Sequence, residues 1–133
     1  MDIRTVGALL YWCEGSKRLE DRRVEFVNSD PRMIMVFLKY LRSLDVEEDR
    51  IKLRMALHSQ DDETSCREYW KSITKLANSN FISTILKRSS TAKKHVPHGT
   101  MTVRYNSVNL LRIVSADVSR VVSELLLNPS QST

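Results

Sequence analysis

The fold class this sequence predicts is α+β. Three observations carry that expectation: apolar residues at three- and four-residue steps in several segments, strict apolar/polar alternation in others, and turn or capping residues between them. The first element is residues 3–14. Val6 through Cys13 contain no charged side chain, so this helix is too apolar to bury a single stripe. Gly7 and Ala8 are small enough to let another backbone come close, and the second buried side is expected to be the same helix of a partner subunit. That places Gly7, Ala8, Leu10 and Tyr11 at a homodimer interface, with Glu14 near its own copy.

The remaining elements follow in order. Asn28-Ser29-Asp30-Pro31 supplies capping side chains and a first-turn proline, after which Ile34, Phe37, Leu38, Leu41 and Leu44 recur at helical spacing, predicting a helix over 31–44. Ile51, Leu53, Met55 and Leu57 alternate with Lys52, Arg54, Ala56 and His58, the pattern of a strand with one buried and one basic, wet face. Residues 63–76 carry Cys66, Tyr69, Trp70, Ile73 and Leu76 on one helical stripe. Two further strands, 81–87 and 101–105, flank residues 88–99 and read as a long-looped hairpin. Leu110, Leu111, Val114, Val118, Val121, Val122 and Leu125 predict a last helix over 108–127, ended by Asn128-Pro129. Residues 1–127 therefore read as one domain and 128–133 as a flexible tail.

Composition narrows the function classes. The net charge is +5, yet residues 70–116 hold Lys71, Lys75, Lys87, Arg88, Lys93, Lys94, Arg104 and Arg112 with no Asp or Glu, a local +8 that the rest of the chain offsets by 3. A one-sign block favours a polyanion, the alternative being a solvated loop. Cys13 and Cys66 lack a Cys-x-x-Cys pair or histidines at zinc spacing and read as reduced structural cysteines. No Ser-His-Asp spacing, phosphate-cradling glycine loop or dinucleotide fingerprint is present, and no small-molecule cofactor is expected. With no basic leader and no run of bilayer-spanning length, a cytoplasmic protein without membrane contact is expected.

The stretch Gly7-Ala8-Leu9-Leu10-Tyr11-Trp12-Cys13-Glu14-Gly15 resembles the LAGLIDADG motif of homing endonucleases, with Glu14 at the position of the metal-binding acid. Leu9 and Trp12 stand where the family has its mid-motif glycine and its other acid. Tyr11 to Arg18, Val24 to Pro31, the Tyr69-Trp70 pair and Gly99 to Tyr105 extend the likeness to a small, single-motif prokaryotic branch. The resemblance implies an antiparallel or mixed saddle-shaped sheet backed by helices, its polar face on double-stranded DNA and the motif helix at the axis of a homodimer. A chain of 133 residues is too short for two motifs, so dimerisation is required.

On that scaffold Glu14, with the carbonyl of Gly15, would hold catalytic Mg2+ against the partner's copy, because hydrolysing a phosphodiester calls for a hard cation on oxygen ligands. The alternative is a salt bridge from Glu14 to Lys17 or Arg18. Lys17, Arg18, Lys52, Arg54, Lys87, Arg88, Lys93, Lys94, Thr102 and Arg104 are the expected DNA contacts. Arg54, Arg104 and the 87–94 segment rank above Arg22 and Arg23, which interleave with Glu20, Asp21 and Glu25. Three functions fit: a metal-dependent DNA endonuclease, an inactive LAGLIDADG-like DNA-binding regulator, and a dimerising module whose basic loop contacts protein or RNA.

Overall fold

Capping chemistry sets where the first helices begin. In the computed structural model, which describes residues 1–88 and 96–127, helix α1 (Ile3–Glu14) starts where the Asp2 carboxylate accepts the Arg4 N–H, and α2 (Pro31–Arg42) where Asp30 accepts the Arg32 N–H. Helix α3 spans Glu63–Thr74, and α4 spans Val108–Leu127 behind Ser107, whose hydroxyl accepts the Leu110 N–H at 3.0 Å. The strands are β1 (Val24–Asn28), β2 (Ile51–His58), β3 (Ile85–Lys87) and β4 (Thr100–Tyr105). Among the described residues this is an α+β fold of four α-helices and one four-stranded mixed sheet of order β1-β4-β2-β3. The expected tail at 128–133 lies outside the described residues.

The sheet corrects the expected hairpin. β4 is antiparallel to both β1 and β2, whereas β3 runs parallel to β2 on its far edge, so β2 separates the two segments read as hairpin partners. The reason is the crossover: α3 lies between β2 and β3 in the chain and returns it to the same end of the sheet, as parallel pairing requires. The Ile82 N–H already donates to the Leu53 carbonyl at 2.8 Å, drawing the approach to β3 alongside β2. Strand β1 is an element the sequence pattern does not predict, since only Val24 and Phe26 alternate before the exposed Val27 breaks the period.

One face of the sheet is covered. Val24, Phe26, Ile51, Leu53, Met55, Leu57, Met101, Val103 and Tyr105 all point into a single core that α1, α2, α3 and α4 close. Within it Phe26 and Phe37 stack at 4.2 Å, and the Trp70 indole N–H donates to the His98 carbonyl at 2.9 Å. Tyr69 is half-buried, packs against this core edge-on to Trp70, and stacks on the His98 ring. Among the described residues no helix is long and apolar enough to cross a membrane.

The same packing corrects the expected roles of Gly7, Ala8 and Tyr11. All three are buried inside the chain itself, and Leu10 packs on the core from its margin. A Cβ at Gly7 would fall into the Tyr40 ring of α2. The small residues thus admit an aromatic side chain of the same protomer, and the second buried side of α1 is met by α2 and α4.

Candidate nucleic-acid interface

The uncovered face of the sheet is where charge collects. Strand register lines up Glu25, Arg104 and Lys52 in one row across β1, β4 and β2, and Val27, Thr102 and Arg54 in the next. Thr100, Ala56 and His58 continue this face, which carries no Trp, Tyr or Phe: all of these belong to the helices, the buried sheet face or the Phe81 turn. Lys52, Arg54, Thr102 and Arg104 are half-buried, as strand alternation predicts. Three cations therefore face one carboxylate across the two rows.

That carboxylate is engaged. Arg104 places Nε and Nη2 each 2.9 Å from Glu25 Oε2, and Arg23 Nη2 approaches the same oxygen at 3.6 Å. Arg23 Nε is buried without a hydrogen-bond partner. Arg54 donates to the Ser83 carbonyl at 3.0 Å, and Lys52 to the Asp49 carbonyl at 3.2 Å, so neither has a carboxylate on it among the described residues. Lys87 and Arg88 are exposed at the β3 edge, whereas Lys93 and Lys94 lie outside the described residues. Lys17 and Arg18 turn to local partners: Lys17 donates to the Gly15 carbonyl, and Arg18 pairs with Glu20 and Asp21.

Glu14 ends α1 beside the β1 edge. The chain leaves the helix through Gly15, which bridges to Phe26, and the Ser16 N–H donates to the Glu25 carbonyl at 2.8 Å. Gly15 is glycine for a steric reason, because a Cβ there would enter the Tyr11 ring. Tyr11 in turn clamps this junction, its hydroxyl donating to the Ser16 carbonyl at 2.9 Å and accepting the Glu25 N–H. Glu14 itself is exposed and has no hydrogen bond or ion pair among the described residues; neither Lys17 nor Arg18 reaches it. No basic residue occupies the last turn of α1, so the carboxylate sits uncompensated at the negative end of the helix dipole.

A hard divalent cation fits that carboxylate chemically, but one chain supplies little else. Among the described residues no three His, Cys, Asp or Glu side chains converge, and the Gly15 carbonyl already accepts Lys17 Nζ at 3.2 Å. His58 lies on the open sheet face and His98 against Tyr69, away from Glu14, while His95 lies outside the described residues.

A second charged cluster went unread in the sequence. Asp117, buried on α4, accepts Arg4 Nε and Nη2 at 2.8 and 2.7 Å and the Tyr40 hydroxyl at 2.7 Å. Burial alone would raise its carboxyl, but the bonds from Arg4 and Tyr40 prevail and hold it below the ordinary value. Burial and the same carboxylate push the Tyr40 phenol well up. The signal was available: Asp117 falls on the stripe Leu110, Val114, Val121, where a lone carboxylate demands a cation. This cluster ties α1, α2 and α4 together and is structural. Compared with known proteins, the chain matches no family model, no curated protein and no solved structure.

Proposed function

We propose that this chain is a LAGLIDADG-like protein that binds double-stranded DNA through the open face of its sheet and works as a homodimer. The observation that carries the reading is the contrast between the two sheet faces. One is a charge-free, mostly apolar face; the other presents Lys52, Arg54, Thr102 and Arg104 in strand register with a cationic excess. Cations and hydroxyls at that spacing suit phosphates and base edges. The absence of Trp, Tyr and Phe from this face, which leaves the His58 imidazole as its one ring, favours a duplex over an unpaired strand, whose bases are held on a row of stacking platforms. For the dimer, half-buried Leu9 and exposed Trp12 replace Gly7 and Ala8 as the contact surface of α1, since the core leaves them uncovered.

Metal-dependent hydrolysis is the extension that Glu14 favours. An unpaired carboxylate at a helix C-terminus opposes the local field, and a bound cation would relieve it. Glu14 from each protomer would hold the ion, and a magnesium held there would supply polarisation of the phosphate and a hydroxide near neutral pH. A regulator that binds without cutting keeps the same sheet and dispenses with this step.

Selection from a randomised duplex library, with and without magnesium, tests both levels. Recovery of a preferred site supports the binding reading, and cutting of that site only with metal supports the endonuclease. A site bound but left intact in magnesium and manganese makes the protein a regulator. Failure to retain any duplex at low salt overturns the proposal.

A further inference from the structure

Helix α4 and the 3-10 turn Leu19–Asp21 leave a cleft of about 360 Å3, lined by Leu19, Arg22, Val108, Leu111, Arg112 and Ser115. Its floor is apolar, and Leu19 stands 62% exposed at its side. No acidic side chain lines it. The guanidinium groups of Arg22 and Arg112 have no hydrogen-bond or ion-pair partner among the described residues, whereas neighbouring Arg18 is answered by Glu20 and Asp21 and Arg23 by Glu25.

We propose that this cleft docks a protein partner through a short amphipathic helix with an apolar stripe and flanking carboxylates. A leucine-sized side chain would enter between Leu19 and Leu111, and acidic residues a turn apart would meet Arg22 and Arg112. From Val108 to Ser115 α4 offers about 10 Å of length, enough for two turns of a partner helix.

Charge and chemistry decide among occupants. A second copy related by a two-fold axis would bring this all-cationic rim against itself, with no carboxylate in the lining to answer it. Phosphates would satisfy the arginines but leave Leu19, Val108 and Leu111 facing a polar backbone. The cleft also lies on the helical side of the sheet, because Leu111 belongs to the core, so the inference stands apart from the DNA-binding reading.

Arg22 permits a clean test. Its backbone holds φ 57°, a left-handed conformation that glycine adopts without strain, so Arg22→Gly removes the charge and keeps the turn. The probe is a fluorescent peptide of about twelve residues with Leu at i, i+3, i+4 and i+7 and Glu on the flanks. Controls are a scrambled peptide of the same composition and a version with Gln for Glu. Anisotropy should show binding to the wild-type chain and about tenfold weaker binding to the Arg22→Gly/Arg112→Ala variant, with an unchanged thermal midpoint. The Gln peptide should be weakened to a similar degree. The inference is overturned by equal binding of the scrambled peptide, by an unaffected double variant, by displacement of the peptide with duplex DNA, or by a self-association that the double variant abolishes.

Discussion

At its N-terminal end α1 delivers Arg4 to the buried carboxylate of Asp117, whereas at its C-terminal end it leaves Glu14 exposed with no cation on it among the described residues. Both charges oppose the helix dipole. The first is answered by a bidentate ion pair with Asp117, which also accepts the Tyr40 hydroxyl and so joins three helices; the Arg4 side chain is 45% exposed and that of Asp117 6%. The second is answered by no side chain among the described residues. A charge built into a network stabilises the fold, and one left uncompensated at an edge of the sheet is available for a ligand.

Substitutions can break this contrast from either end. The largest effect is expected in the N-terminal half: Gly7→Leu forces a side chain into the Tyr40 ring and should destabilise the chain by about 3 kcal/mol or more in chemical denaturation. Asp117→Asn comes next, at about 1 to 3 kcal/mol, because it strips the charge that Arg4 and Tyr40 serve. It should also flatten the acid limb of stability. The Asp117 carboxyl lies below its ordinary value in the fold, so the unfolded chain takes up the proton first. Its contribution is full above the unfolded value of 3.8 and is lost as the pH falls through the folded one. Denaturation midpoints of wild type and variant should converge on acidification; parallel curves would remove Asp117 from the acid response.

The C-terminal end should behave in the opposite sense. Glu14→Gln removes a charge that the dipole disfavours, so stability should hold or rise by about 0.3 to 1 kcal/mol, while any magnesium-dependent cutting of duplex DNA disappears. A large loss of stability would mark Glu14 as structural. On the open sheet face, Lys52→Ala with Arg54→Ala should leave the fold intact and reduce the salt slope of duplex binding by about 0.9 for each phosphate that is no longer neutralised. An unchanged slope would take these two residues off the interface.

What the sequence disclosed and what it hid divide along physical lines. The start of α2 at Asp30-Pro31, the alternation of β2 and the whole length of α4 were legible because each rests on local chemistry or local period. Partners distant in the chain were not. The small residues Gly7 and Ala8 announced a close approach but not that Tyr40 makes it, and the parallel seat of β3 depends on a crossover that no pattern within residues 81–105 encodes. The basic strand face of Lys52, Arg54, Thr102 and Arg104 was readable residue by residue, yet the Glu25 carboxylate that holds Arg104 comes from a strand whose period was too short to see. Glu14 could be singled out in the sequence; its lack of a partner among the described residues could not.

The most direct test of the account is chemical-shift mapping of the isotopically labelled chain during titration with a short duplex at low salt. The account predicts that Val27, Lys52, Arg54, Thr102 and Arg104 on the open face shift together, that Val24, Leu53 and Val103 behind them move little, and that added salt reverses the change. Shifts confined to the helical side, or none on the open face at saturating duplex, would contradict it.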